Sequence, residues 1–110
     1  MANYAYLRVS TDHQDVDNQK HGILSFANQH DLGKLKFVED TASSRIKWRS
    51  RKLGQLLETL SPEDTIVFAE ISRIARSTLQ VLEVLEYCTQ NQLNVCIAKQ
   101  KMILDGINAK

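Results

Sequence analysis

Along the chain the apolar positions change period several times, and each change marks the boundary of a predicted element. Tyr4-Ala5-Tyr6-Leu7-Arg8-Val9 is a short β-rich run. From Asp15 to His30, Val16, Gln19, Ile23, Leu24, Phe26 and Ala27 fall near one helical stripe. Asp31-Leu32-Gly33-Lys34 supplies a stop and a turn, after which Leu35 to Glu39 reads as a second strand. A polar, basic loop follows. Leu53, Leu56, Leu57 and Leu60 then recur at helical spacing, the apolar face of a short helix that Ser61-Pro62 closes. Thr65 to Ala69 is apolar almost throughout, as expected of a strand covered on both faces, and belongs in the centre of the sheet. Ser77-Thr78-Leu79-Gln80 fits a capping box, and Leu79, Leu82, Leu85 and Tyr87 continue a helix to about Asn91. Val95 to Ala98 reads as a fourth strand, with Lys101 to Leu104 a short fifth at the edge.

This alternation predicts an α/β fold: a doubly wound, mainly parallel sheet of four to five strands with helices on both faces. No linker or repeat interrupts it, so residues 1–110 are expected to form one domain. A chain 43% apolar and 25% charged, with one Pro and four Gly, is neither a disordered tail nor a fibre. No apolar run approaches the ~20 residues of a membrane helix, and MANYAYLRVS lacks a signal peptide's long apolar stretch. A cytoplasmic protein without membrane contact is expected. Cys88 and Cys96 make no disulfide framework and read as small buried hydrophobes.

The net charge of +1 hides an uneven distribution. Residues 41–60 carry five basic and one acidic side chain, whereas the segments on either side are slightly acidic. The basic segment is Arg45-Ile46-Lys47-Trp48-Arg49-Ser50-Arg51-Lys52. It reads either as a solvated loop and helix face or as an arm that tracks a phosphate backbone.

In doubly wound sheets the ligand sits beyond the carboxyl ends of the strands. The three loops there, Arg8 to Thr11, Glu39 to Arg45 and Glu70 to Ser77, all carry hydroxyls and arginines. The glycines form neither a dinucleotide turn nor a phosphate loop, so no nucleotide cofactor is expected. His13, His21 and His30 lack metal-ligand spacing, so no metal is expected, and no GxSxG elbow supports a hydrolase triad. What remains is Ser10 among arginines. Strand alternation puts Arg8 and Ser10 on one face, and Arg73 and Arg76, close together at the start of a helix, are expected to face the same cleft. Guanidinium forks match phosphate oxygens, and preorganised cations stabilise a phosphoryl-transfer transition state. The same residues would also serve as turn caps and surface ion pairs, and the chemistry alone leaves both readings open.

Tyr6-Leu7-Arg8-Val9-Ser10-Thr11 followed by Gln14, Asp17 and Gln19, then Asp40-Thr41-Ala42-Ser43, then Ile71-Ser72-Arg73-Ile74-Ala75-Arg76-Ser77, resembles the catalytic domain of the serine recombinases, the resolvase and invertase family. The resemblance runs over nearly the whole chain. It implies a site-specific DNA recombinase, bacterial or encoded by a mobile element, that acts on double-stranded DNA without a cofactor. In it Ser10 attacks a phosphodiester to give a 5′-phosphoserine link and a free 3′-hydroxyl. The same resemblance assigns Arg8, Arg73 and Arg76 to the scissile phosphate, with Tyr6, Gln14, Gln19, Asp40 and Ser43 supporting or completing the site. A further arginine is expected after the second strand. Alignment on the following leucines favours Arg51, with Arg49 and Arg45 as alternatives, and the segment Arg45, Lys47, Arg49, Arg51 and Lys52 is the expected DNA-contacting stretch.

Two departures stand out. The family's usual Asp before the first arginine of the third loop is Ser72 here, with Glu70 two residues earlier as its candidate replacement. The family's dimerisation helix and helix-turn-helix are expected to be absent after the core. Homodimers or tetramers are therefore expected of the full-length form, and a monomer with weak DNA binding and cleavage of this chain alone. A truncated, non-catalytic regulator that pairs with a full-length recombinase is the alternative reading. A receiver-like signalling domain would need an acidic pair after the first strand, where this chain has Arg8 and Ser10.

Overall fold

The computed structural model describes residues 2–9, 13–41 and 46–104. Five strands lie in one sheet: β1 (Asn3–Arg8), β2 (Lys36–Asp40), β3 (Thr65–Phe68), β4 (Asn94–Ile97) and β5 (Met102–Leu104). Their spatial order is β2-β1-β3-β4-β5. The first four are parallel and β5 is antiparallel to β4. Helices α1 (His13–Gln29), α2 (Lys52–Thr59) and α3 (Thr78–Gln90) make the crossovers. The expected α/β class and the central place of β3 both hold. The parallel strands need helical crossovers, whereas Ile97 and Met102 pair across a tight turn in which Lys101 adopts φ 54°, which reverses the chain.

Side-chain alternation sorts the strands into two layers of core. Ala5 and Leu7 of β1, Val67 of β3 and Cys96 of β4 face α1, where Val16, Ile23 and Phe26 cover them. Tyr6, Ile66, Phe68, Val95 and Ile97 face the opposite way, onto Leu53, Leu56 and Leu57 of α2 and Val81, Val84 and Cys88 of α3. Every residue of β3 is buried, which explains why it is apolar from Ile66 to Phe68.

The helical stripes differ in detail from the sequence pattern. Leu24 on α1 is 46% exposed, although its neighbours Ile23, Phe26 and Ala27 are buried. On α3 the core takes Val81, Val84 and Cys88, leaving Leu79 67% and Leu82 57% exposed. Two apolar stripes run along α3, and only one can face the sheet. The capping box is half formed: Ser77 Oγ accepts the N–H of Gln80 at 3.4 Å, while the Gln80 side chain turns away to the backbone of Trp48.

The order of strands reverses between β1 and β3, because the chain leaves β1 toward β2 and returns past it to β3 and β4. Loops diverge at that point and leave a crevice at the carboxyl edge. Arg8 ends β1 there, paired in register with Asp40 of β2, and the segment from Glu70 to Ser77 leaves β3 beside it.

Candidate functional site

Beneath the crevice lies a buried polar layer. The Tyr6 hydroxyl donates to Asp40 Oδ2 at 2.7 Å, and both residues are buried. Burial, followed by the hydrogen bond to Asp40, pushes the Tyr6 phenol far above its ordinary range, and the positive charges of Arg51 and Arg8 only partly oppose this. Arg51 is 1% exposed, and its Nη2 donates to the carbonyl of Ile74 at 2.5 Å. Nε and Nη1 of the same guanidinium are buried with no hydrogen-bond partner among the described residues. Buried donors left unpaired cost about 1–3 kcal/mol each, so this group is held in place by its surroundings.

The loop after β3 is built around its apolar residues. A 3-10 turn over Ile71–Arg73 leads to Ile74 and Ala75, both buried, and only then to exposed Arg76 and the start of α3. Anchoring Ile74 in the core sends the flanking arginines to opposite sides. Arg73 turns toward α1, where its Nη2 meets Asp15 Oδ1 at 2.5 Å and its Nε lies 3.9 Å from Glu70. Arg76 joins Arg8 on the α3 side. The expectation that Arg73 and Arg76 share one cleft is thus corrected, since the helix begins at Thr78 and does not set their spacing.

Two clefts result. One, of about 400 Å³, is polar and lined by Asp15, Gln19, Glu70, Arg73 and Lys99. The other, of about 740 Å³, runs between Arg8 and Arg76 at one wall and Val81, Leu82 and Leu85 of α3 at the other. Ser72, which lines the larger cleft, donates its Oγ hydroxyl to Glu70, and in the smaller cleft Lys99 Nζ lies 3.3 Å from the other Glu70 oxygen. The Ser72 hydroxyl above all holds the Glu70 carboxyl below its ordinary range; burial opposes this, and Lys99 and Arg73 reinforce it. Gln19 is buried and ties α1 to the end of β1, its Nε2 donating to the Arg8 carbonyl at 3.1 Å and to Asp15 Oδ2 at 3.0 Å. Gln14 is exposed on the first turn of α1.

Over residues 46–52 the basic segment is a folded bracket and not an extended arm. Trp48 is buried at the head of a 3-10 turn over Trp48–Ser50. The Arg49 guanidinium stacks over the rings of Trp48 and Tyr87, at 4.5 and 5.5 Å from their centroids. Arg51 points inward, Lys52 Nζ donates to the carbonyl of Glu39 at 3.0 Å, and Lys47 is exposed. Of the sequence-predicted residues, Ser10, Ser43 and Arg45 lie outside the described residues.

Three participants escaped the sequence reading: Asp15, Lys99 and Trp48. Asp15 is one helical turn before Gln19, a spacing that brings the two together on α1. Lys99 follows an apolar strand, where a single lysine carries no pattern. Trp48 stands among cations, in a segment that reads as a solvated face or a phosphate-tracking arm, neither of which buries it. Cys88 and Cys96 are buried free thiols, pushed up by burial to about 12 and about 11, which leaves neither as a thiolate at neutral pH. No helix among the described residues is long and apolar enough to cross a membrane.

The family model described as Resolvase, N terminal domain, matches residues 3–108. A protein of Clostridium perfringens (strain 13 / Type A) named Resolvase is 28% identical over 81 residues, covering 74% of this chain and 40% of that protein. The matched stretch therefore spans less than half of the curated relative.

Proposed function

Because the chain belongs to the family of resolvase N-terminal domains, we propose that it is the catalytic domain of a site-specific DNA recombinase with Ser10 as nucleophile. The observation that carries this reading is that Arg8 and Arg76 line one groove at the crevice where the strand order reverses, with Arg51 buried against the loop after β3 and Arg73 on the other side of that loop, while the sequence runs on from Arg8 to Ser10. Two arginines on one groove with a third buried behind the same loop are more than a turn or a cap requires.

In this reading Ser10 Oγ attacks a phosphodiester of double-stranded DNA. The P–O3′ bond breaks as the Ser10 O–P bond forms, the 5′ phosphate stays on the protein and the 3′ oxygen leaves as a hydroxyl. Attack by a new 3′-hydroxyl reverses the step, so the phosphoester is conserved and no nucleotide cofactor enters. Arg8 and Arg76, which share a groove, bind the non-bridging oxygens, and Arg73 joins them by exchanging Asp15 for phosphate. Of the three arginines considered for the further position, Arg51 is the one we assign, because it is buried against the loop after β3 while Arg49 is stacked on aromatic rings. Tyr6 and Asp40 form the floor, Gln14 and Gln19 hold the start of α1, and Ser43 completes the site. Glu70 is held ionised, so at neutral pH it accepts hydrogen bonds and positions Ser72 and Arg73; it does not donate the leaving-group proton. Lys47 and Lys52 remain exposed for more distant phosphates. Strand exchange requires several cleaved ends at once, and therefore several copies acting together.

The test is covalent capture. Cells expressing the protein are lysed in denaturant, DNA is recovered, and protein bound to 5′ ends is quantified and its junctions sequenced. Adducts at discrete sites that vanish in Ser10→Ala are the expected result. Adducts that persist in Ser10→Ala would remove Ser10 as nucleophile, and none from the unaltered protein would remove the cleavage reading.

A further inference from the structure

Trp48 is the chain's only tryptophan. Its ring meets that of Tyr87 edge-on, with centroids 5.6 Å apart. Arg49 lies over both rings, and the backbone N–H of Trp48 donates to Gln80 Oε1 at 3.1 Å. Gln80 and Tyr87 stand two turns apart on one face of α3, so the segment is fastened to that helix at two points.

The fastening passes directly to Arg51. Its backbone N–H donates to the Trp48 carbonyl at 3.2 Å, and the Ser50 N–H donates to the Lys47 carbonyl at 2.9 Å. From the other side α2 seats closely on the turn, because Gly54 has no side chain: a Cβ there would stand 2.6 Å from the Arg49 carbonyl oxygen. Among the described residues the Arg51 guanidinium itself makes one hydrogen bond and leaves two nitrogens unpaired. A group so poorly satisfied does not fix its own place; its backbone must. The helix that holds the bracket is also the wall of the groove lined by Arg8 and Arg76.

We propose that Trp48 is a positioning residue for Arg51: clamped on Tyr87 and Gln80, it refers the buried guanidinium to the same helix that walls the Arg8–Arg76 groove. This deepens the recombinase reading and rests on its assignment of Arg51 to the phosphate site.

Arginine labelling with phenylglyoxal, mapped by mass spectrometry on the whole protein, tests the clamp without DNA. Arg51 is expected to stay protected in the unaltered protein and in Trp48→Phe, and to react at least about tenfold faster in Tyr87→Leu and Trp48→Ala, as local opening requires. Arg8 and Arg73, which are half-buried, are expected to keep their rates. Arg51 as slow in folded Tyr87→Leu as in the unaltered protein overturns the proposal, and so does an equal acceleration at all three arginines. Should Trp48→Ala not fold, Gln80→Ala takes its place in the comparison. In the capture assay Tyr87→Leu is expected to lower adduct formation about tenfold or more, while Trp48→Phe retains it. Acceleration at Arg51 with undiminished adduct upholds the clamp and overturns instead the place of Arg51 in the phosphate site.

Discussion

A full positive charge buried beside a phenol, as at Arg51 and Tyr6, makes single substitutions there informative because stability and activity respond to different parts of each side chain. Arg51→Lys keeps the charge but loses the planar fork and the fixed reach to the Ile74 carbonyl. Adduct formation is expected to fall by roughly 10³ or more, the usual worth of a well-placed arginine in phosphoryl transfer. Unfolding in urea should shift by only about 1–2 kcal/mol, since, among the described residues, the guanidinium's single hydrogen bond to the Ile74 carbonyl is all that is lost. Equal losses in both measurements would make Arg51 a structural residue. Tyr6→Phe removes the 2.7 Å bond to buried Asp40 and is expected to cost about 1–3 kcal/mol, read as a lower melting temperature in calorimetry. The acid limb of stability follows from two carboxyls. For Glu70 the Ser72 hydroxyl lowers the folded-state pKa; for Asp64, burial raises it, but the backbone N–H groups of Ala2 and Ser61 outweigh that effect. Both folded values lie below the unfolded ones, so their contribution is complete above the ordinary carboxylate range and is lost as pH falls through the folded values. Urea midpoints measured from pH 6 to pH 3 should therefore decline, and Asp64→Asn should flatten the decline. An unchanged slope in that variant would place the acid sensitivity elsewhere.

Elements were more legible than the side-chain traffic between them. The boundaries of β1, β2, β4 and α2 lie within a residue or so of the positions that periodicity marks, because each element buries one face and local turn chemistry ends it: positive φ at Asp31 and Gly33 after α1, and Ser61-Pro62 after α2. The two stripes of α3 were not separable by period, since Leu79 and Leu82 are as apolar as Val81 and Val84 and only the position of the sheet chooses between them. The arginine loop was not legible for a related reason. Whether Arg73 and Arg76 converge depends on how Ile74 enters the core, a long-range contact with no local signature. The bracket at Trp48 shows the same limit, as its partners Gln80 and Tyr87 are distant in sequence. Burying a tryptophan removes roughly 150–250 Å² from water, worth about 4–6 kcal/mol at most. That is of the size needed to offset the unpaired donors of Arg51. Gly54→Ala tests the seating of α2 on this bracket. Its methyl would meet backbone atoms of Arg49 at 2.6 to 2.8 Å, and backbone cannot rotate aside. The variant should be less stable by about 1–3 kcal/mol despite alanine's better helix propensity, which is worth about 1 kcal/mol in the opposite direction. A more stable Gly54→Ala in urea titration would mean that the turn and helix do not pack so closely.

For the molecule as a whole, charge is arranged by compensation, and this sets how the protein should meet a polyanion. The net charge is +1, so no long-range field draws DNA to the entire surface. At the carboxyl edge, Asp15, Arg73, Glu70 and Lys99 alternate in sign and contribute nothing to the local sum. Among the described residues, with Arg51 buried and Arg49 stacked on aromatic rings, the cations left to meet solvent there include Arg8 and Arg76 at the apolar groove and Lys47 and Lys52 beyond the bracket. If these four reach phosphates, log K for a non-specific duplex should fall with log salt with a slope of about −3 to −4, since each neutralised phosphate adds roughly −0.9. Arg76→Ala should reduce the steepness by about one, whereas Glu83→Ala, on the part of α3 beside Arg49 and away from the groove, should leave it unchanged. The measurement is fluorescence anisotropy across a salt series with a labelled duplex. A slope near zero, or one that Arg76→Ala does not alter, would detach the Arg8–Arg76 groove from DNA and leave the buried layer around Arg51 without a phosphate to serve.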